Sequence, residues 1–233
     1  MSMLLAEDLL LLVTDDASGR LSVPAAAADA ALGGANLLEL ALMTKVGLSG
    51  DRDAGEPGRV VVRDPAPTGD TVLDAALTII AAHPGSKPAT LIRPLGKDLR
   101  HALYARLASR GVLRAGQGRI LGLFPSHRWP AQDSRHEADV RQHLVQALVQ
   151  QATPGDRTAA LIALLHALRC EHKIINPGDY GLSRRQLRSR AEQIAKRTWA
   201  SQAVRTVTQE MTAAVAAAVA SAAAVSAGAA SSG

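Results

Sequence analysis

Three basic residues, Arg93, Lys97 and Arg100, lie close together in the sequence, before or at the start of a predicted helix over Lys97–Arg110. Lys97 and Arg100 are three residues apart and therefore share one face of that helix. The first turn of a helix has free N–H groups and the positive end of the helix dipole, which favour a phosphate. Arginine binds phosphate through two parallel hydrogen bonds, and lysine acts as a point charge. The arrangement predicts a phosphomonoester site, and the alternative is ordinary surface charge at a helix start.

Residues that could support catalysis or bind a metal form no complete set. His136, Asp139 and His143 share one face of a predicted helix, but the sequence offers no fourth ligand for a metal. A second candidate set consists of His166, Cys170 and His172. Cys170 lies near the end of an apolar helix, where a cysteine is usually a small core residue. We therefore expect no enzyme activity, no metal and no cofactor.

The basic residues are concentrated in two stretches of the chain. Arg93–Arg128 has eight Lys or Arg residues and one acidic residue, and Arg184–Arg205 has seven and one. In the rest of the chain acidic residues outnumber basic ones. Such asymmetry favours a face for an anionic partner, either a bilayer or a nucleic acid. The alternative is a pair of solvated arginine-rich helix faces.

A basic helix followed by a glycine-turned hairpin is also the pattern of a winged-helix DNA-binding unit. In that interpretation Arg100, Arg106 and Arg110 contact phosphates or base edges. The two helices that should precede a recognition helix are missing, because prolines interrupt Gly85–Leu95. Nucleic-acid binding therefore stays an alternative, as does a protein-binding scaffold that uses its basic face for solubility.

The elements that position these residues are mainly α-helical. The chain has 233 residues, of which 47% are hydrophobic and only 2% aromatic, which favours packed helices over a β-sandwich. Apolar periodicity predicts helices over residues 4–13, 25–32, 37–44, 70–82, 97–110, 134–150, 156–169 and 183–217. Gly33-Gly34 is expected to separate the second helix from the third. Two short β-hairpins are predicted at the edge, over 45–63 and 112–124.

We expect a single globular helical domain over residues 1–210, followed by an Ala-rich extension over 211–233. The extension has high helix propensity but little to bury, so we expect it to fray toward Gly233. The sequence has neither a basic, apolar N-terminal signal nor a strongly apolar membrane span. Its single cysteine fits a reducing compartment. These features predict a cytoplasmic protein, in which any membrane association would be peripheral, and the Ala- and Arg-rich composition predicts a GC-rich bacterial source, such as an actinobacterium.

Residues Arg63–Leu77 (Arg-Asp-Pro-Ala-Pro-Thr-Gly-Asp-Thr-Val-Leu-Asp-Ala-Ala-Leu) form a loop that ends on Asp70, a good N-cap for the following helix. Together with Leu37–Leu42 and Leu99–Phe124, this segment resembles the Golgi phosphoprotein 3 family. The resemblance extends from about Leu4 to Val204. It implies a non-catalytic peripheral membrane adaptor that binds phosphatidylinositol 4-phosphate or a similar anionic phospholipid, with a client protein that the sequence does not identify.

The resemblance also assigns residues to the lipid site. Two family phosphate contacts fall on Lys97 and Arg100, in a register anchored by Gly111-Val112-Leu113, and Arg93 is an additional basic residue beside them. The positions of a family tryptophan and of a third arginine are occupied by Pro24 and Gly33. Binding of anionic lipid in general depends more on charge than on fitted geometry.

The hairpin predicted over Val112–Phe124 is the second region to which the resemblance gives a role. In the family this hairpin contributes to self-association and contacts the bilayer. Here we expect its turn at Arg114–Gly118, which is small and polar, so that deep insertion is not expected. The alternative is an edge hairpin packed on the core. The candidate oligomer or membrane residues are Val112, Arg114, Arg119, Ile120, Leu121, Leu123 and Phe124.

Overall fold

The computed structural model describes residues 3–50, 53, 56–114, 116–120, 124–197 and 212–222. Within them the chain is mainly helical, as predicted, with two short antiparallel hairpins. The longer helices are α1 Leu5–Leu12, α2 Ala25–Leu42, α3 Thr71–Ala81, α4 Pro88–Gly96, α5 Leu99–Ser109, α6 Arg135–Leu148, α7 Asp156–Ala167, α9 Arg184–Arg197 and α10 Thr212–Ala222. The short helix α8, Glu171–Ile174, precedes a 3₁₀ turn over Pro177–Tyr180. The strands are β1 Val46–Leu48, β2 Val60–Val62, β3 Gly116–Ile120 and β4 Phe124–Arg128.

Helix α2 lies at the centre of the fold and packs against α1, α3, α4, α5 and α7. Every residue from Ala31 to Ala41 is buried, which requires a helix that is apolar on nearly all sides. Helix α2 has a mean hydropathy of 1.2 and is long and apolar enough to cross a membrane. Among the described residues it is the one helix that meets both conditions. However, 67% of α2 is buried inside the fold, which is the position of a core helix.

The predicted break at Gly33-Gly34 is wrong, because α2 continues through both glycines. Gly33 lies against α4, where a Cβ atom would enter the contact distance of the Ile92 carbonyl oxygen. A Cβ atom on Gly34 would similarly meet Val215 of α10. Each glycine weakens a helix by about 1 kcal/mol relative to alanine, and close packing of neighbouring elements offsets that loss here. The glycines are therefore contact residues for two other helices.

Helix α3 begins as predicted, with Asp70 as its N-cap. The Val72 N–H donates to the Asp70 side chain at 2.9 Å. Thr68, in the loop before the helix, donates to Asp74 from its hydroxyl at 2.7 Å and from its backbone N–H at 2.6 Å. The loop in the Arg63–Leu77 segment is thus hydrogen-bonded to the helix that follows it. This contact requires Thr68, Asp70 and Asp74 at their observed spacing.

Both hairpins are present, but the second one differs from the prediction. In the first, Val46 pairs with Val62 and Leu48 with Val60. In the second, the paired residues run from Gly116 with Arg128 to Ile120 with Phe124.

The connection of the second hairpin therefore lies between Ile120 and Phe124, not at Arg114–Gly118 as predicted. Glycine favours turns but also occurs in strands, and Gly116 and Gly118 pair within β3. Leu121 and Leu123 lie outside the described residues. Where the hairpin meets the domain, the Trp129 ring stacks on Tyr104 with 5.2 Å between ring centroids.

Part of the Ala-rich extension packs on the domain. Residues 212–222 form α10, in which Val215 and Val219 are buried at 1% and 0% exposure. Val215 lies at Gly34 of α2, where the missing side chain leaves room for it. Residues 212–222 are thus helical, because the two valines lie one turn apart and are both buried against the domain. The expected fraying toward Gly233 stays a prediction. Residues 223–233 lie outside the described part of the chain, and the domain boundary at 210 stays a prediction.

Candidate functional site

The predicted phosphate site lies at the junction of α4 and α5, whose boundaries differ from the prediction. Helix α4 begins with Pro88, which suits the first position of a helix, and Pro94 falls in its last turn. Lys97 follows the last residue of α4, and Asp98, with a φ of 58°, precedes the first residue of α5. The sequence interpretation took the prolines as helix breakers. It missed the buried face formed by Leu91, Ile92 and Leu95, which holds α4 on the core.

The side chains of Arg93, Lys97 and Arg100, which we call the α4–α5 surface, have different surroundings. Arg93 and Lys97 are exposed and make no ion pair within the described part of the chain. The Lys97 N–H donates to the Arg93 carbonyl at 3.1 Å, so these two residues are one helical turn apart. Arg100 is partly buried, and its Nε donates to Asp29 of α2 at 2.8 Å. The junction therefore joins two exposed cations to a third that already has a carboxylate partner.

Asp29 was missed by the sequence interpretation, and no local signal could have found it. It lies 71 residues before Arg100, and only the packing of α2 on α4 and α5 brings the two together. That packing is close, because a Cβ on Gly96 would enter the contact distance of the Asp29 backbone. Asp29 is therefore held beside the proposed site by its own helix.

The two family positions occupied by Pro24 and Gly33 also lie on α2. Pro24 is the N-cap of α2, and Gly33 contacts Ile92 and Gly96 of α4. A larger side chain at Gly33 would push α4 away from α2. This packing requires glycine at position 33. The arginine that the family has at this position is therefore missing from the α4–α5 surface.

The geometry of Arg100 still permits phosphate binding. The hydrogen bond to Asp29 uses Nε, and the two terminal guanidinium nitrogens make no hydrogen bond within the described residues. A guanidinium can donate to a carboxylate on one edge and to a phosphate on another. Asp29 fixes the orientation of Arg100 and at the same time lowers the local positive potential.

The other two arginines of α5 are used inside the fold. Arg106 donates to Asp70 at 2.8 and 2.5 Å and lies 3.0 Å from Glu7, which has 0% exposure. Arg110 pairs with the same Glu7 at 3.2 Å. The guanidinium of Arg106 holds the pKa of the Asp70 carboxyl below its usual range. These contacts remove Arg106 and Arg110 from the set of residues that a winged-helix unit would need.

A second internal ion-pair group connects the first helix to α2 and α7. Arg157 donates to Asp8 at 2.8 Å and to Glu39 at 2.7 Å, and it also bonds the Met3 carbonyl at 2.6 Å. The Leu4 N–H donates to the Glu7 side chain at 2.8 Å, so this backbone N–H at the start of α1 has a hydrogen-bond partner. The two acidic residues of the apolar helix α1, Glu7 and Asp8, thus form ion pairs with arginines that stabilise the fold.

The candidate catalytic residues also have structural partners. His136 is hydrogen-bonded to Asp8 at 2.7 Å, and His166 to Glu171 at 2.6 Å. Burial raises the pKa of the Cys170 thiol to about 12, so it stays a protonated core residue. Across the described residues no group of three or more His, Cys, Asp or Glu side chains is arranged to hold a metal.

These features define a helical protein with an exposed cationic junction and an interior stabilised by ion pairs. Comparison with known proteins gives its class: the family model for Golgi phosphoprotein 3 matches residues 5–211. The chain therefore belongs to the Golgi phosphoprotein 3 family, which confirms the resemblance found in the sequence. The family consists of non-catalytic, peripherally membrane-associated adaptors.

One relative is the vacuolar protein sorting-associated protein 74 of Eremothecium gossypii, which is 27% identical over 224 residues. The match covers 82% of this chain and 66% of the relative. The chain therefore spans just under two thirds of the length of the curated protein that it matches.

Proposed function

We propose that this chain is a non-catalytic, cytoplasmic peripheral membrane adaptor that binds phosphate groups of anionic phospholipids, of the phosphatidylinositol 4-phosphate type. The observation that carries the proposal is the α4–α5 surface. Arg93 and Lys97 are exposed without an ion pair in the described residues, and Arg100 has free terminal nitrogens. Family membership supports the same role for this junction.

Binding starts with electrostatic attraction to the anionic membrane. Each basic residue close to such a surface contributes about 1 kcal/mol, so three residues provide a weak, salt-sensitive interaction. Asp29 opposes this attraction because its charge lies 2.8 Å from the Arg100 guanidinium. A phosphomonoester, with more charge than a phosphodiester, is the headgroup best able to compete with it.

The β3–β4 hairpin is proposed as the second contact, either with the bilayer or with another copy of the chain. The observed register divides the residues that the sequence predicted for this contact into two groups. Val112 and Arg114 precede β3, whereas Arg119, Ile120 and Phe124 lie in the strands next to the connection. The sequence of that connection, Leu121-Gly122-Leu123, is apolar. Shallow burial of an apolar connection would add affinity that does not depend on salt.

Vesicle flotation tests this proposal. The chain is mixed with vesicles of phosphatidylcholine alone, with added phosphatidylglycerol, or with added phosphatidylinositol 4-phosphate. We expect flotation with the anionic lipids, strongest with the phosphomonoester, and its loss in Lys97→Glu/Arg100→Glu. High salt should release the protein.

The matched control is Arg20→Glu/Lys87→Glu, which makes the same change in charge. Both residues are exposed, and Lys87 lies at the opposite end of α4 from Lys97. Retained flotation of the control assigns the effect to the α4–α5 surface. Equal flotation of wild type and Lys97→Glu/Arg100→Glu contradicts the assigned site. Binding to a DNA duplex without flotation would favour the nucleic-acid alternative, and neither activity would favour the scaffold.

A further inference from the structure

A cavity of about 340 Å³ lies between the α7–α8 connection and the start of α9. It is separate from the α4–α5 surface, since α9 packs on α6, α7 and α8 rather than on α4 and α5. The charged residues that line it are Arg169, Glu171, His172, Arg184, Arg185 and Arg188. Four arginine side chains thus line one cavity.

None of these four arginines makes an ion pair within 4.0 Å in the described residues, and Arg188 interacts with a carboxylate, Glu192, only at longer range. The one carboxylate in the lining, Glu171, is 4% exposed and is hydrogen-bonded to His166 at 2.6 Å. Glu192, one turn beyond Arg188, is bonded to Lys196 at 2.7 Å. By contrast, Arg63, Arg106 and Arg157 each pair with a carboxylate at 2.8 Å or less. The cavity is therefore a concentration of uncompensated positive charge in a protein that otherwise pairs many of its arginines.

The backbone around the cavity is held in place. Leu187 and Ala191 of α9 are fully buried, and Arg190 donates to the carbonyls of Leu148 and Val149 at 3.0 and 2.9 Å. Ser183 and Gln186 bond each other at the start of α9, so the helix end is already capped. Attraction for an anion therefore comes from the guanidinium groups rather than from free N–H groups of the helix.

We propose that this cavity binds a compact anion with two or more phosphate groups. Guanidinium groups match phosphate oxygens in planar, paired hydrogen bonds. Four of them, less the charge of Glu171, suit about two phosphates of −1.5 to −2 charge each. The lining has no Trp, Tyr or Phe side chain and offers only the small His172 ring for a base to stack on, which favours a diphosphate over a nucleotide. The same chemistry is present in soluble diphosphate and in a lipid headgroup with two phosphates.

Calorimetric titration of the full chain with inorganic pyrophosphate tests the site. We expect pyrophosphate to bind at least tenfold more tightly than orthophosphate, and Arg184→Gln/Arg188→Gln to weaken that binding at least tenfold. Both residues are exposed, so the variant should unfold at the wild-type temperature. The matched control, Arg20→Gln/Lys87→Gln, removes two exposed charges outside both proposed sites and should bind pyrophosphate as the wild type does.

A second arm uses phosphatidylcholine vesicles that contain a bisphosphorylated inositol lipid. The flotation readout compares the two double variants with the wild type. Loss of pyrophosphate binding in the Arg184/Arg188 variant supports a soluble ligand, and loss of flotation in the same variant supports a headgroup. The proposal is overturned if neither ligand binds, or if the Arg184/Arg188 variant binds both as the wild type does. Failure of the Lys97/Arg100 assignment would leave the pyrophosphate result untouched, because neither of the two double variants changes those residues.

Discussion

The arginines of α5 and those at the start of α9 are similarly frequent in the sequence but differ in their surroundings. Arg100, Arg106 and Arg110 each contact a carboxylate from a distant part of the chain. Arg184, Arg185 and Arg188 have no such partner within the described residues. The number of basic residues in a stretch therefore does not measure the positive potential that it presents. In α5 most of the charge stabilises the fold, whereas at α9 it faces a cavity.

The largest expected effect is that of Arg106→Ala on stability. This change leaves the fully buried Glu7 and the N-cap Asp70 without their shared partner. Arg110 still pairs with Glu7, so we expect a loss of about 3 kcal/mol in the free energy of unfolding, at the lower end of the cost of breaking a buried ion pair. Urea unfolding measures it. Arg184→Ala is the control, which should change the same quantity by less than about 0.5 kcal/mol. Equal effects in the two variants would contradict the comparison.

The packing that brings Asp29 to Arg100 is tested by Gly33→Ala. The added methyl group meets the Ile92 carbonyl and Gly96, so α4 must move away from α2. Overpacking of this kind costs about 1–3 kcal/mol. Gly58→Ala, in a half-buried turn with open space around the added Cβ but with a φ of 75°, separates the effect of backbone strain from that of crowding. A neutral or stabilising effect of Gly33→Ala would show that the helix contact is looser than described.

Removal of the Asp29 charge should strengthen lipid binding. In Asp29→Asn the Arg100 guanidinium keeps a hydrogen-bond partner but loses the charge that opposes a phosphate. We expect a gain of about 1 kcal/mol, near fivefold in affinity, from flotation at several lipid concentrations. Stability should change little, because the Asp29 side chain is 39% exposed. Weaker binding of this variant would mean that Asp29 orients Arg100 more than it opposes the lipid.

The smallest expected effect is on the pH dependence of stability through Asp70. Its pKa is lowered from 3.8 because Arg106 donates to it, so the folded state binds its proton less tightly than the unfolded state. The stabilisation is fully present above that unfolded value and is lost as the pH falls through the lower folded value. Asp70→Asn should flatten the acid limb of a stability profile. A profile that is unchanged below pH 4, about the ordinary aspartate range, would contradict this role.

Much of the helical content follows from the sequence, because the apolar residues of α1, α3, α6 and α7 predict helices close to the observed bounds. Asp70 is an example of a local signal, because its type and position are enough to predict where α3 begins. The continuity of α2 and of α4 could not be predicted, since Gly33 and Pro94 weaken a helix locally and are tolerated through tertiary contacts.

The candidate site was predicted only in part for the same reason. Lys97, Arg100 and Arg93 come from local spacing and from family resemblance, and the structure puts them at one helix junction. Asp29 and Glu7 act on arginines 71 and 103 residues away. No spacing rule reaches that far, so the partners that set the charge of each arginine become visible only in the fold.

The central claim is that the α4–α5 surface binds the lipid phosphate. It is tested most directly by flotation of Lys97→Glu/Arg100→Glu and Arg184→Glu/Arg188→Glu side by side, on vesicles that contain phosphatidylinositol 4-phosphate. The account predicts that the first variant stays in the unbound fraction while the second floats with the vesicles. Flotation of the first variant at the wild-type level would contradict it.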